Sequence, residues 1–198
     1  MTKLTIVSTA NNKFATPLTI LYRSILSNDT VNQFAFYIFN DHLNAQNKNQ
    51  LKQLESEFPN CQKISFLTVD EQLFKQVVTD ERIIKAAYYR IYTAELLPDL
   101  DRVLYLDCDL ICNGSLETLW QTPLHGKIIG AVEDAGYVPR LAEMGIQAKQ
   151  SFYFNSGVML IDLKRWRKEK ITEKVMTFIN QANYKFNPNK PGIFQWQS

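Results

Sequence analysis

Two carboxylates one residue apart close an apolar run in Val103-Leu104-Tyr105-Leu106-Asp107-Cys108-Asp109. Such a pair can hold a hard divalent cation, Mn²⁺ or Mg²⁺, because these ions favour oxygen donors and keep coordination positions for water and phosphate. A cation there would neutralise charge growing on a diphosphate leaving group while fixing its orientation. If residues 103–106 form a strand, the pair lies beyond its carboxyl end, where open α/β sheets bind ligands. The spacing itself is weakly specific: Asp99-Leu100-Asp101 repeats it just upstream, ahead of the strand, and reads as a chain turn. On the residues alone, solvated loop aspartates or helix caps explain Asp107 and Asp109 as well as a metal site does.

The elements that must position this pair alternate along the chain. Residues 4–8 read as a buried strand. Thr16-Pro17 reads as a helix start, with Thr16 as N-cap, and Leu18, Leu21, Tyr22, Ile25 and Leu26 share one helical face. Residues 34–39 and 64–69 read as strands on either side of a polar helix capped by Asn44. A short helical stretch at 71–78 follows, then a helix over 85–97 that carries Tyr88, Ile91, Tyr92, Glu95 and Leu96 and is closed by Pro98. Strands are expected at 103–106, 128–132 and 158–161, with one helical turn at 115–120. Asn155-Ser156-Gly157 reads as a tight loop and Asp134 as a turn residue. Strand and helix alternation predicts an α/β fold with a mostly parallel central sheet and flanking helices.

Composition narrows the class. At 198 residues, 45% of them hydrophobic, the chain can bury a sizeable core and reads as a single domain over 1–198. A formal charge of +2, from 22 basic and 20 acidic residues, gives no reason to expect a nucleic-acid partner. The densest basic cluster, Lys164, Arg165, Arg167, Lys168 and Lys170, reads as a solvated helix start ahead of a membrane or acceptor contact. Cys61, Cys108 and Cys112 lack the spacing of a disulfide framework or a zinc site and read as free thiols. No apolar run is long enough for a transmembrane segment, and the first residues lack the core of a secretion signal. A cytoplasmic protein is expected, with peripheral contact at the inner face of the membrane as an option.

Several segments together resemble the retaining glycosyltransferases of family 8. They are Ile6-Val7-Ser8-Thr9-Ala10-Asn11, Tyr89-Arg90, the run ending in Asp107-Cys108-Asp109, Gly130-Ala131-Val132-Glu133-Asp134, and the stretch from Tyr153-Phe154-Asn155-Ser156-Gly157 to Leu163. Their order and spacing carry the resemblance. It implies a nucleotide-diphosphosugar transferase fold of GT-A type that binds a UDP-sugar donor and transfers a hexose, galactose or glucose, with retention, to an acceptor hydroxyl on a glycan, lipid-linked or protein-linked sugar in polysaccharide synthesis.

The resemblance also implies roles. Thr9, Ala10 and Asn11, in the loop after the first strand, would line the uracil, with Phe14 available to stack on it or to serve the core. Family members commonly carry Asp where this chain has Asn11, and an amide could both accept from and donate to the base. Arg90 would lie near the sugar and diphosphate, where a planar fork suits phosphate. Asp107 and Asp109 would ligate Mn²⁺ (or Mg²⁺), with Cys108 between them and Asp107 also near the ribose. Asp134 would accept from sugar hydroxyls and Asn155 would sit near the donor sugar. Arg90 and Asp134 are the candidates for catalytic work. Asp134 is the carboxylate to test for a double displacement, which needs a nucleophile at the anomeric carbon; same-face attack through an ion-pair-like transition state is the preferred course.

Two family features have no counterpart. A His-x-x-Gly-x-x-Lys-Pro-Trp type motif, which supplies the third metal ligand, is absent, and His42 and His125 read as loop histidines. Where the family carries an Asp-Gln-Asp block, this chain reads Asn187-Pro188-Asn189-Lys190-Pro191-Gly192. The expectation is therefore the N-terminal part of a longer family domain, incomplete at the C-terminus, with an inactive UDP-sugar-binding fragment as the alternative. A nucleotidyltransferase is disfavoured because no glycine-rich, arginine-containing phosphate loop follows the first strand.

Overall fold

Alternation of side chains along each strand sets two apolar faces of one sheet. Leu104 and Leu106 point to one face with Leu4, Ile6, Phe34, Phe36, Ile38 and Leu160. Val103 and Tyr105 point to the other with Val7, Phe39, Met159 and Ile161. Because both faces are apolar, both must be covered, and helices do so in three layers. The computed structural model describes residues 1–70, 72, 85–134 and 153–181.

The sheet has six strands: β1 (Lys3–Asn11), β2 (Gln33–Asp41), β3 (Cys61–Thr68), β4 (Arg102–Leu106), β5 (Ile129–Glu133) and β6 (Phe154–Asp162), in the order β3-β2-β1-β4-β6-β5. β1 pairs parallel with β2 and β4, and β2 with β3, whereas β6 runs antiparallel between β4 and β5. Five strands thus share one direction and β6 opposes them, which bears out a mostly parallel sheet. The carboxyl ends of β1, β4 and β5 and the amino end of β6 consequently meet at one rim.

On the first face lie α1 (Ala15–Asn28), α2 (Ala45–Lys52) and α3 (Leu54–Glu57), with α5 (Glu117–Gln121) packed at its border. The expected stripe of α1 holds, with Leu18, Leu21, Tyr22, Ile25 and Leu26 all buried. Asn44 caps α2 by accepting from the Asn47 amide at 2.8 Å. On the second face lie a 3₁₀ segment (Lys85–Tyr92), α4 (Thr93–Leu96), α6 (Leu163–Lys168) and α7 (Ile171–Gln181).

Several elements differ from the sequence reading. Thr16 is not the N-cap of α1. Asn11 Oδ1 accepts from the amides of Lys13 (3.0 Å) and Phe14 (3.3 Å), so a 3₁₀ turn over Asn12–Phe14 starts first and α1 follows at Ala15. Residues 85–97 form a 3₁₀ segment and a single α-helical turn, not one α-helix; Tyr88, Tyr89, Ile91 and Tyr92 are indifferent helix formers, and Tyr88, Tyr89 and Ile91 are drawn into the core. Thr9 and Ala10 are strand residues, because β1 pairs with β2 in unbroken register through Asn11 and Asp41. Asn155-Ser156-Gly157 is no tight loop: it lies in β6, beside a register shift between Ala131 and Val132 of β5. The stretch at 71–78, Asp-Gln-Asp's counterpart at 187–192 and the rest of the tail lie outside the described residues, apart from Gln72.

Candidate active site

Period two along β4 places Asp107, which follows the strand, on the Tyr105 side of the sheet and Cys108 on the opposite side. The Tyr105 side is the one covered by the 3₁₀ segment, whose Tyr88, Tyr89 and Ile91 pack on Val7, Val103 and Tyr105. That packing delivers Arg90 to the rim. Its side chain is largely buried, and its guanidinium N–H groups donate to the Ser156 carbonyl (2.9 Å), to Ser156 Oγ (3.2 Å) and to Asp107 Oδ1 (3.1 Å). The guanidinium carbon also lies 4.6 Å from the centre of the Tyr105 ring. Arg90 therefore connects the rim ends of β4 and β6 and is no surface ion pair.

Asp107 is held as tightly. Its amide donates to the Gly157 carbonyl at 2.8 Å, extending the β4–β6 pairing by one residue. Oδ1 accepts from Arg90 and from the Tyr105 hydroxyl at 3.0 Å. Burial above all pushes the Tyr105 phenol above its ordinary range, so it serves as a neutral donor. Oδ2 lies over Gly157: a Cβ at that position would come within 2.8 Å of Oδ2 and 2.9 Å of Asn155 Oδ1. The Asn155 oxygen in turn accepts from the Gly157 amide at 2.7 Å. Glycine is needed here for space, a role that the sequence reading missed along with that of Tyr105.

Asp109 is exposed, two residues on. Cys108 is half-buried with its thiol pushed up to about 11, by burial first and then by the neighbouring Asp109 and Asp107 carboxylates. It is a free thiol, as are Cys61 and Cys112. Asp134 follows β5 and its amide donates to the Tyr153 carbonyl at 2.6 Å, which sets it at the rim across β6 from Asp107.

At the end of β1, Thr9 turns toward Tyr105, whose hydroxyl oxygen is 3.4 Å from Thr9 Oγ1. Ala10 turns the other way and is buried under α1, leaving only its backbone for a ligand. The Asn11 side-chain oxygen is occupied in capping, so the amide nitrogen is the group left to meet a base. Phe14 is half-buried against the α1 face of the core, with Lys13 Nζ 5.7 Å from its ring centre. Asn12, unassigned by the sequence reading, joins β1 to the loop after β2: it donates to the His42 carbonyl (2.9 Å) and accepts from the Asn44 amide (2.8 Å).

The residues present fit a hard cation. Two carboxylates at one rim, one with an Oδ2 that lies over a glycine and accepts no hydrogen bond among the described residues, offer the oxygen donors such an ion takes, with other positions left to water and phosphate. Among the described residues no group of three or more His, Cys, Asp or Glu side chains forms a fuller metal cage. His42 and His125 sit in left-handed loop conformations, with φ of 58° and 46°.

Glycosyl transferase family 8 is matched over residues 5–190. General stress protein A of Bacillus subtilis (strain 168) is 37% identical over 179 residues, which cover 89% of this chain and 62% of that protein. The lipopolysaccharide 1,2-glucosyltransferase of Escherichia coli is 30% identical over 164 residues, covering 81% of this chain and 48% of the enzyme. The chain thus spans about half to three-fifths of the length of these relatives. A crystal structure of the galactosyltransferase LgtC in complex with donor and acceptor sugar analogs superposes with a TM-score of 0.81 at 26% identity, over 91% of this chain and 65% of that one. The architecture is the GT-A type glycosyltransferase fold that LgtC represents. Motif order, sheet topology and the match along nearly the whole sequence agree: the chain belongs to glycosyl transferase family 8.

Proposed function

We propose that this chain binds a UDP-hexose at the rim formed by β1, β4, β5 and β6 and transfers the hexose, glucose or galactose, with retention to an acceptor hydroxyl in glycan or cell-surface polysaccharide synthesis. The observation that carries the reading is the clamp on Asp107: Arg90 and Tyr105 both donate to Oδ1, while Oδ2, over Gly157, accepts no hydrogen bond among the described residues. The names of its relatives, among them a lipopolysaccharide glucosyltransferase and a galactosyltransferase seen with donor and acceptor analogs, support the same direction.

Asp107 and Asp109 would hold Mn²⁺ or Mg²⁺, and a cation bound there supplies Lewis-acid neutralisation of the departing diphosphate. Arg90, already aimed at the rim with its fork on Asp107 and Ser156, adds positive charge beside the same phosphates without needing to reorganise. The Asn11 amide nitrogen and the Ala10 backbone meet the uracil edge, and Phe14 with Thr9 borders it. Asn155 and Asp134 face the sugar hydroxyls from β6 and β5. Asp134 receives hydrogen bonds there and orients the sugar for attack on the face from which UDP leaves.

The test is UDP release from UDP-glucose and UDP-galactose by the purified chain, with and without Mn²⁺, beside the Asp107→Ala and Asp109→Ala variants. Manganese-dependent release by the parent chain, lost in both variants, is expected. Release that persists unchanged in both variants, or that ignores the metal, would overturn the reading.

A further inference from the structure

Tyr105 belongs to the site although it cannot touch a substrate. It is 1% exposed, with its ring packed in the core of the second face and covered by the Arg90 guanidinium. Only its hydroxyl reaches the rim, 3.0 Å from Asp107 Oδ1 and 3.4 Å from Thr9 Oγ1. One phenolic proton serves one acceptor. The carboxylate takes it, and the Thr9 hydroxyl in turn donates to the phenol oxygen, so that β1 is wired through β4 to the aspartate. Together with Arg90, this puts two donors on Oδ1, while Oδ2 accepts no hydrogen bond among the described residues and is directed over Gly157.

We infer that Tyr105 is a positioning residue: by holding Asp107 Oδ1 from below, it fixes the carboxylate plane that presents Oδ2 to a divalent cation, with Thr9 as the outer link of the chain. The inference rests on the metal-binding reading of the rim. Hydrogen-bonded partners behind a metal ligand commonly govern affinity, because the ligand must otherwise give up rotational freedom when the ion arrives. Arg90 alone cannot define the plane, since a single donor on one oxygen leaves rotation about the Cβ–Cγ bond.

The experiment is titration of the full chain with Mn²⁺ in the presence of UDP, read by the electron paramagnetic resonance signal of free Mn²⁺, for the parent chain, Tyr105→Phe and Thr9→Val. Thermal unfolding of each is measured alongside. Tyr105→Phe keeps the ring and its packing, and its Mn²⁺ dissociation constant is expected to rise about tenfold or more. Thr9→Val should move it in the same direction by less. A variant with the parental constant and only a lower Tm would show a merely structural tyrosine and overturn the inference while sparing the metal site. No Mn²⁺ binding by the parent chain would overturn both. Should Tyr105→Phe fail to fold, a Thr9→Val constant equal to the parental one would count against the inference.

Discussion

Gly157 shows how much of this site depends on one missing atom. A methyl group there would meet both the Asp107 carboxylate and the Asn155 amide inside normal contact distance, at 2.8 and 2.9 Å. Neither neighbour can yield cheaply, because Oδ1 of the aspartate is tied to Arg90 and Tyr105 and the asparagine oxygen is tied to the Gly157 amide. Gly157→Ala is therefore expected to fold with reduced stability and to rotate Asp107 away from the geometry in which Oδ2 lies over the glycine. Displacements near 1 Å can cost about a hundredfold in rate, so UDP release should fall by that order while circular dichroism stays unchanged. Parental activity in Gly157→Ala would contradict the assignment of Oδ2 as the metal-facing oxygen.

The segment that carries Arg90 is a short element that cannot hold its own place. It is pinned from behind by α6 and α7. The Arg167 guanidinium donates to the carbonyls of Ala94 (3.1 Å), Leu97 (3.3 Å) and Leu100 (2.9 Å), satisfying the end of α4 and the turn into β4. Thr172 donates to the Ile91 carbonyl (2.9 Å) while accepting from the Trp166 indole (2.8 Å). Arg167→Ala strands these carbonyls, and a loss of about 1–3 kcal/mol in urea unfolding is expected. The basic cluster at 164–170 thus serves partly as internal bracing, through Arg167, whereas Arg165 pairs with Glu169 on the helix surface. Here the sequence was legible only in part. Apolar runs disclosed all six strands, because burying both faces leaves a clear record in residue type. The placement of Asp107 beyond β4 followed from it. Side chains that act on distant backbone leave no periodic trace, so the bracing by Arg167 and the connecting role of Asn12 were not readable; the Asn11 cap is local but lay behind the stronger helix-start signal of Thr16-Pro17. The strand character of Asn155-Ser156-Gly157 was hidden for a similar reason, since small polar residues in a row look like a turn until a neighbouring strand pairs with them.

At the scale of the molecule, the polar ties at the two rims do different work. The rim opposite the candidate site is closed by Asp29, a nearly inaccessible carboxylate after α1. It accepts from the Ser115 hydroxyl (2.7 Å), the Leu116 amide (3.3 Å) and the Asn32 amides, joining α1, β2 and the loop that follows the aspartate pair. Burial by itself would raise its pKa, but the hydrogen bonds from Ser115 and Asn32 outweigh it and hold the carboxyl below its ordinary range. The unfolded chain therefore binds this proton more readily than the folded one. Asp29 contributes stability that is fully present above its ordinary value of 3.8 and is lost as pH falls through the lower folded value. Glu55, Glu117 and Glu169 shift in the same direction, so acid destabilisation is shared. The Asp29→Asn variant isolates one part of it. Its stability should be lower than the parental value at neutral pH, and the gap should narrow in urea melts below about pH 4. A gap constant with pH would contradict the assigned carboxylate role.

Among the described residues no helix is long and apolar enough to cross a membrane, and the rim of the sheet stands as the feature around which the elements are arranged. The central claim is that this rim holds a divalent cation between Asp107 and Asp109 against a nucleoside diphosphate. Crystals of the chain grown with UDP and Mn²⁺ and measured at the manganese absorption edge test it most directly. An anomalous peak is expected about 2.0–2.2 Å from Asp107 Oδ2 and within the same reach of Asp109, with diphosphate oxygens completing the coordination. UDP seated at the rim with no such peak, or a peak bound by other side chains, would contradict it.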